Sequence, residues 1–225
     1  MISLQHVYRS YPLGHGKFHE VLNDVTVKFE EGHSMAILGL NGAGKSTLIR
    51  IISGGEKPDR GRVIRKARVS WPVGFTGGFS ANLTGKENLR FVSRIYGADI
   101  RSVTSYVEEF TELGEYLDMP YRTYSSGMRS KLAFGLSLAI GFDFYLIDEA
   151  FSVGDATFVQ KASLEIEKLK DRATLIFVSH SIRAVQKHCN CGSVLHNGRL
   201  TVYKDLNSAI ARYTEICNQK AIQNR

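Results

Sequence analysis

Gly39-Leu40-Asn41-Gly42-Ala43-Gly44-Lys45-Ser46-Thr47 fits the pattern G-x-x-x-x-G-K-[ST], a loop whose backbone wraps phosphate groups. Its setting matters as much as its letters. A short apolar stretch, Ser34 to Leu38, precedes it, and an amphipathic one, Leu48-Ile49-Arg50-Ile51-Ile52, follows it before Gly54-Gly55. The order is strand, loop, helix. Glycines let the chain turn tightly, so that successive N–H groups face phosphate oxygens, and a helix opening at Lys45 adds about half a positive charge at its N-terminus. Lys45 brings a full charge to the β and γ phosphates, and Ser46 offers a hydroxyl of the kind that hard, oxygen-seeking Mg²⁺ takes as a ligand.

Composition bounds what surrounds this loop. With 225 residues, 43% of them hydrophobic and 23% charged, the chain can bury a full core as one domain, or one with a subdomain. The longest uncharged run, Leu132 to Phe142, is too short to span a bilayer, and Met1-Ile2-Ser3-Leu4-Gln5-His6 lacks the pattern of a secretory leader. A soluble cytoplasmic protein is expected. Cys189, Cys191 and Cys217 are too few and too clustered for a disulfide framework and lack zinc-site spacing; they read as packed thiols. A net charge of +7 and a pI near 9.3 allow nucleic acid or an anionic membrane face as partners. The one dense basic patch, Arg60, Arg62, Arg65, Lys66 and Arg68, lacks aromatic interleaving for stacking bases, so it reads as a solvated hairpin and nucleic acid is not expected.

Residues 2 to 8 alternate, with Ile2, Leu4, His6 and Tyr8 on one face, and residues 21 to 31 do likewise through Val21, Val25, Val27 and Phe29. Paired strands are predicted, joined through Tyr11-Pro12 and the turn Leu13-Gly14-His15-Gly16. An aromatic ring ahead of a phosphate loop can stack on a purine, which gives Tyr11 a candidate role. Arg62-Val63-Ile64 is a further short strand. From Thr84 to Ala139 the apolar residues recur at helical spacing; Thr84 with Glu87 three residues on resembles a capping box, and Tyr124-Ser125-Ser126-Gly127 is expected to open the last helix of the series. A helical insert therefore interrupts an α/β core. Strands resume at Phe144-Tyr145-Leu146-Ile147, ending at Asp148-Glu149, and at Thr174-Leu175-Ile176-Phe177-Val178, ending at Ser179-His180. Uninterrupted apolar strands belong inside a parallel sheet, where ligands sit at the carboxyl ends.

Three stretches thus converge on one site suited to phosphate-ester cleavage. Asp148 can orient Mg²⁺ and its waters beside Ser46. Glu149 can position or deprotonate the attacking water, a general-base contribution of about 10²- to 10⁴-fold. His180 can hydrogen-bond the γ-phosphate.

With these residues in place, the chain resembles the ATP-binding cassette family over nearly its whole length. Gly39 to Thr47 resembles its Walker A loop, Asp148-Glu149 its Walker B end and catalytic glutamate, Asp155 its D-loop, His180 its switch histidine and Tyr11 its adenine-stacking aromatic. Ser125, Ser126 and Gly127 stand where the family carries its signature motif, a helix N-terminus that in the family caps the γ-phosphate of ATP held by the other subunit. The resemblance implies an α/β fold: a RecA-like core with a mostly parallel sheet (1–75 and 141–225), an N-terminal antiparallel β subdomain, and an inserted helical subdomain over 76–140. It also implies ATP and Mg²⁺ as cofactors. One Walker A and one signature per chain imply a head-to-tail homodimer.

The family's glutamine between core and insert is missing, since no Gln occurs between residues 6 and 159. In its place stands Ser70-Trp71-Pro72-Val73-Gly74-Phe75-Thr76-Gly77-Gly78-Phe79, which resembles the branch that exports bacterial polysaccharides, capsule exporters above all. The O-antigen members of that branch often carry an added carbohydrate-binding domain; here the chain ends at Arg225 after one amphipathic helix, Leu206 to Ile216. The resemblance implies an ATPase on the cytoplasmic face of the bacterial inner membrane, two copies per transporter, driving a separate polytopic permease that handles capsular polysaccharide. O-antigen or teichoic acid export is the near alternative, and a soluble cassette acting on nucleic acid or ribosomes the distant one.

Overall fold

The structure, a computed structural model, describes residues 1–148, 156–179 and 181–223. In chain order it contains β1 (Ile2–Gly14), β2 (Lys17–Phe29), β3 (Met35–Leu38), α1 (Lys45–Ser53), β4 (Arg60–Arg65), β5 (Val69–Pro72), α2 (Gly85–Tyr96), α3 (Ile100–Thr111), α4 (Ser126–Ile140), β6 (Phe144–Asp148), α5 (Ala156–Leu169), β7 (Thr174–Val178), α6 (Ile182–His188), β8 (Cys191–His196), β9 (Arg199–Tyr203) and α7 (Leu206–Gln223). Two short 3-10 turns, Gly114–Asp118 and Tyr121–Thr123, link α3 to α4. The chain divides into two compact units, residues 1–72, 143–149 and 167–225 in one and 73–142 and 150–166 in the other. Among the described residues, no helix is long and apolar enough to cross a membrane.

The first unit holds two sheets. One is antiparallel, in the order β2-β1-β4; the other has six strands in the order β5-β6-β7-β3-β8-β9. In the larger sheet every neighbouring pair is parallel except β8 and β9. Every residue of β3 and β7 is buried, as are the first four of β6, which is why these strands read as unbroken apolar runs. Leu48, Ile49, Ile51 and Ile52 on the inner face of α1 share one core with Ile2, Leu4, Leu22 and Phe29 of the small sheet and Ile37, Leu146 and Ile176 of the large one. The phosphate-loop helix is thus packed against both sheets.

Three strand readings change. β1 and β2 run on through Tyr11-Pro12, and the hairpin turns only at His15-Gly16, both with positive φ. The simple alternation over residues 2 to 8 also fails. The β1–β2 register shifts between Leu4 and Val7, where His6 takes a φ of 50° and bonds Asp24 Oδ1 through Nδ1 at 2.7 Å. One extra residue in a strand turns the following side chains to the other face. Val7 is therefore fully buried and His6 exposed, the reverse of strict alternation. Nor do Arg60 to Arg68 form a hairpin: β4 pairs with β1 at the edge of the small sheet, whereas β5 pairs with β6 in the large one.

In the second unit, the capping box at Thr84 and Glu87 is complete, with both reciprocal bonds made at 3.1 and 2.8 Å. Asn88, fully buried, accepts from Ser80 N at 2.8 Å and donates to Ser80 O and Thr84 O, which pins the segment entering α2. Phe110 and Phe134 stack and Phe158 meets both edge-on, with centroids 5.5 to 5.8 Å apart, joining α3, α4 and α5.

Candidate nucleotide site

The loop of residues 39–44 leaves the carboxyl end of β3, in the interior of the large sheet between β7 and β8. Two of its glycines are demanded by packing. A Cβ on Gly39 would stand 2.6 Å from the Leu195 carbonyl oxygen. Gly44 has a φ of +100°, and a Cβ there would meet Val21 Cγ1 at 2.6 Å. The turn closes through Ala43 N to Leu40 O at 3.1 Å, and α1 begins at Lys45 with no side-chain cap on its N-terminus. Uncapped N–H groups at a helix start are the donors that phosphate oxygens accept.

Lys45, half-buried, donates from Nζ to the carbonyls of Gly39 at 2.7 Å and Leu40 at 3.0 Å, so its ammonium is held back over its own loop. Ser46 is exposed, and Thr47 is buried with its hydroxyl 3.2 Å from the Tyr11 hydroxyl. Asn41 and Gly42 are exposed at the tip of the loop.

Asp148 ends β6, half-buried. Its register partner on β7 is Val178, and Val178 in turn pairs with Ile37 on β3. Ile37, Val178 and Asp148 form a row across three parallel strands, placing Asp148 two strand spacings, about 10 Å, from the strand that feeds the loop and at the same edge. Ser46 and Asp148 are both oxygen donors, the set that Mg²⁺ prefers over nitrogen or sulfur. Glu149, Asp155 and His180 lie outside the described residues.

The signature stretch belongs to the second unit. Tyr124 is buried, donates its hydroxyl to Tyr116 O at 2.6 Å, and burial pushes its phenol up to about 12. Thus anchored, it sets Ser125 at the N-cap of α4, where Ser125 Oγ accepts from Met128 N at 3.2 Å. Ser126 and Gly127 form the first turn. At Gly127 φ is not positive and a Cβ would find only Ser125 Oγ, at 4.0 Å. Nothing within the described chain asks for a glycine there.

Sequence reasoning passed over two features. Ser70 is fully buried and its Oγ accepts from Leu146 N at 2.9 Å, filling a register irregularity between β5 and β6. Around Tyr11 stand Arg9, Arg50, Glu56 and Asp59, joined to one another across up to 50 residues of sequence. No local pattern announces either.

A glycine loop with an invading lysine at the end of an inner parallel strand, and a carboxylate at the same sheet edge, define a phosphate-loop nucleotide-binding protein of the α/β class. The sequence profile of the ABC transporter family matches residues 22–152, and the chain belongs to that family. It is 47% identical to the polysialic acid transport ATP-binding protein KpsT of Escherichia coli over 216 residues, covering 95% of this chain and 98% of that one. It is 48% identical to the capsule polysaccharide export ATP-binding protein CtrD of Neisseria meningitidis serogroup B, covering 96% and 100%. Its fold is shared with the dimeric, ADP- and phosphate-bound ATP-binding cassette MJ0796, at a TM-score of 0.75 and 23% identity over 92% of this chain and 99% of that one.

Proposed function

We propose that this chain is the ATP-hydrolysing subunit of an exporter of capsular polysaccharide, acting as a homodimer at the cytoplasmic face of the inner membrane and driving a separate polytopic permease. The observation that carries the ATPase part is the shared sheet edge of the Gly39–Thr47 loop and Asp148. Gly39 to Thr47 would hold the phosphates, Ser46 and Asp148 a Mg²⁺ ion, and Tyr11 the adenine. The metal, when bound, supplies charge stabilisation for phosphoryl transfer. The chain's own residues do the rest: Lys45 exchanges its carbonyl partners for phosphate oxygens, Glu149 aligns the water, and His180 holds the γ-phosphate. Ser125, Ser126 and Gly127 would complete the site of a second copy, and Asp155 would lie in the same interface.

The cargo rests on similarity to proteins whose names specify polysialic acid and capsule polysaccharide. Lys45 and the open first turn of α4 support nucleotide binding and half-site docking respectively, and neither bears on cargo. The test has two parts. Glu149→Gln should leave ATP binding intact and slow turnover at least 100-fold, on the order expected for a lost general base; undiminished turnover refutes the role of Glu149. The tagged chain should co-purify with a polytopic membrane protein, and a strain lacking it should retain polysaccharide inside; normal surface polysaccharide in that strain refutes the cargo.

A further inference from the structure

Glu56, just past the end of α1, is 14% exposed and gathers three donors: the Tyr11 hydroxyl at 2.6 Å, Arg9 Nε at 2.6 Å and Arg50 Nε at 2.9 Å. The Tyr11 hydroxyl also accepts from Arg50 Nη2 at 3.1 Å and lies 3.2 Å from Thr47 Oγ1. Arg9 closes the cluster from the other side. Its Cζ sits 4.8 Å from the centroid of the Tyr11 ring, and its Nη1 donates to Asp59, whose second oxygen takes the Ser10 N–H at 2.7 Å. Burial works to raise the Glu56 carboxyl, but Tyr11, Arg50 and Arg9 outweigh it and hold the group below its ordinary value. It is a carboxylate at neutral pH.

A half-buried tyrosine needs one partner for its hydroxyl, and this one has three, together with a guanidinium over one ring face. The effect is to fix the ring: its far end is tethered, and one face is closed. A side chain that is already immobile loses no rotamer freedom when a ligand arrives, which is worth about two- to tenfold in affinity. Thr47, in the first turn of the helix that follows the phosphate loop, shares the same hydroxyl, so the ring and that helix are joined through a single oxygen.

We propose that Glu56 is a positioning residue for the nucleobase: it holds the Tyr11 ring, half-buried against the core, where it can receive the purine, tied to the phosphate-loop helix through Thr47. This deepens the ATP reading above and rests on it.

Calorimetry on the full chain, with Mg-ATP and separately with Mg-tripolyphosphate, tests it, because tripolyphosphate has no base. Glu56→Gln and Tyr11→Phe should each weaken ATP about two- to tenfold while leaving tripolyphosphate affinity unchanged, and the double variant should be no weaker than the poorer single one. Arg9→Lys, which keeps the charge and loses the fork, should show the same signature. Equal losses for both ligands would overturn the proposal, since Glu56 would then support the loop and not the ring. Additive losses in the double variant, or unchanged ATP affinity in Glu56→Gln, would also overturn it. Unchanged ATP affinity in Tyr11→Ala would remove the stacking platform and leave the phosphate site standing. A native chain that binds neither ligand would refute the ATP reading itself.

Discussion

Gly39 is proposed to hold this chain's nucleotide and Gly127 to close over that of a second copy, yet of the two only Gly39 is required by the chain's own packing, and replacing each with alanine should separate the two kinds of glycine. At Gly39 the new Cβ would stand 2.6 Å from the Leu195 carbonyl oxygen. That is roughly 0.7 Å short of an ordinary carbon–oxygen approach. Neither side can yield easily, because β3 and β8 are paired from Met35–Cys191 through Leu38–Val194. Overpacking of this kind costs about 1–3 kcal/mol, a fall in Tm of about 2–12 °C for a chain of this size. At Gly127 the nearest atom to a Cβ is 4.0 Å away. Alanine is a better helix former than glycine, by about 0.5–1 kcal/mol in a helix interior and less in a first turn. Gly127→Ala should therefore melt within about 2 °C of the native chain, on the high side. What it should lose is ATP-dependent dimerisation, because a methyl on the open first turn of α4 would hold a second copy's nucleotide away. The assay is light scattering after size exclusion with ATP, in a Glu149→Gln background to slow turnover, alongside thermal melts. A Gly127→Ala protein that melts several degrees lower, or that dimerises normally with ATP, refutes the reasoning.

Lys45→Ala should abolish measurable ATP binding by calorimetry while the protein still melts cooperatively; native-like affinity would contradict the site. Arg65 donates from Nε to Ile52 O at 2.7 Å and from Nη2 to Ile51 O, capping the carboxyl end of α1, and burial lowers its pKa. Arg65→Ala should cost about 2 kcal/mol, read as a shift in urea midpoint at constant m-value, with Arg65→Lys recovering only part. His188 is buried against Phe177 with ring centroids 5.5 Å apart, and burial, with Lys170 and Lys187 nearby and Glu167 opposing them, pushes it down to about 4 from 6.5. The unfolded chain therefore takes up a proton between pH 6.5 and 4 that the folded chain refuses, so this histidine's effect is to lower stability as pH falls through that window. His188→Leu should flatten the acid loss in urea titrations across that range; an identical slope would refute the assignment.

Much of this was legible along the chain because the features are local. A phosphate loop needs glycines and a lysine within nine residues, a capping box needs two side chains three apart, and a buried parallel strand announces itself as an apolar run. Bulges are harder to read. The shift at His6 depends on how β2 pairs with β1, and strict alternation pointed the wrong side chains inward. The long reach of β1 past Tyr11-Pro12 was hidden for a similar reason, since a proline at the edge of a hairpin reads as a break.

The sequence alone determined that a phosphate loop follows a buried strand and opens a helix, that a helical insert splits an α/β core, and that Asp148 ends an inner strand. It could do so because each rests on neighbours in the chain. Only the tertiary structure decided that Tyr11 is held by Glu56 and Arg9, that Ser70 completes a backbone ladder, and that Gly39 is packed while Gly127 stands open. The first two depend on atoms 45, 47 and 76 residues apart being brought into contact, and the third on the packing of Gly39 against the Leu195 carbonyl of another strand; no local pattern encodes these.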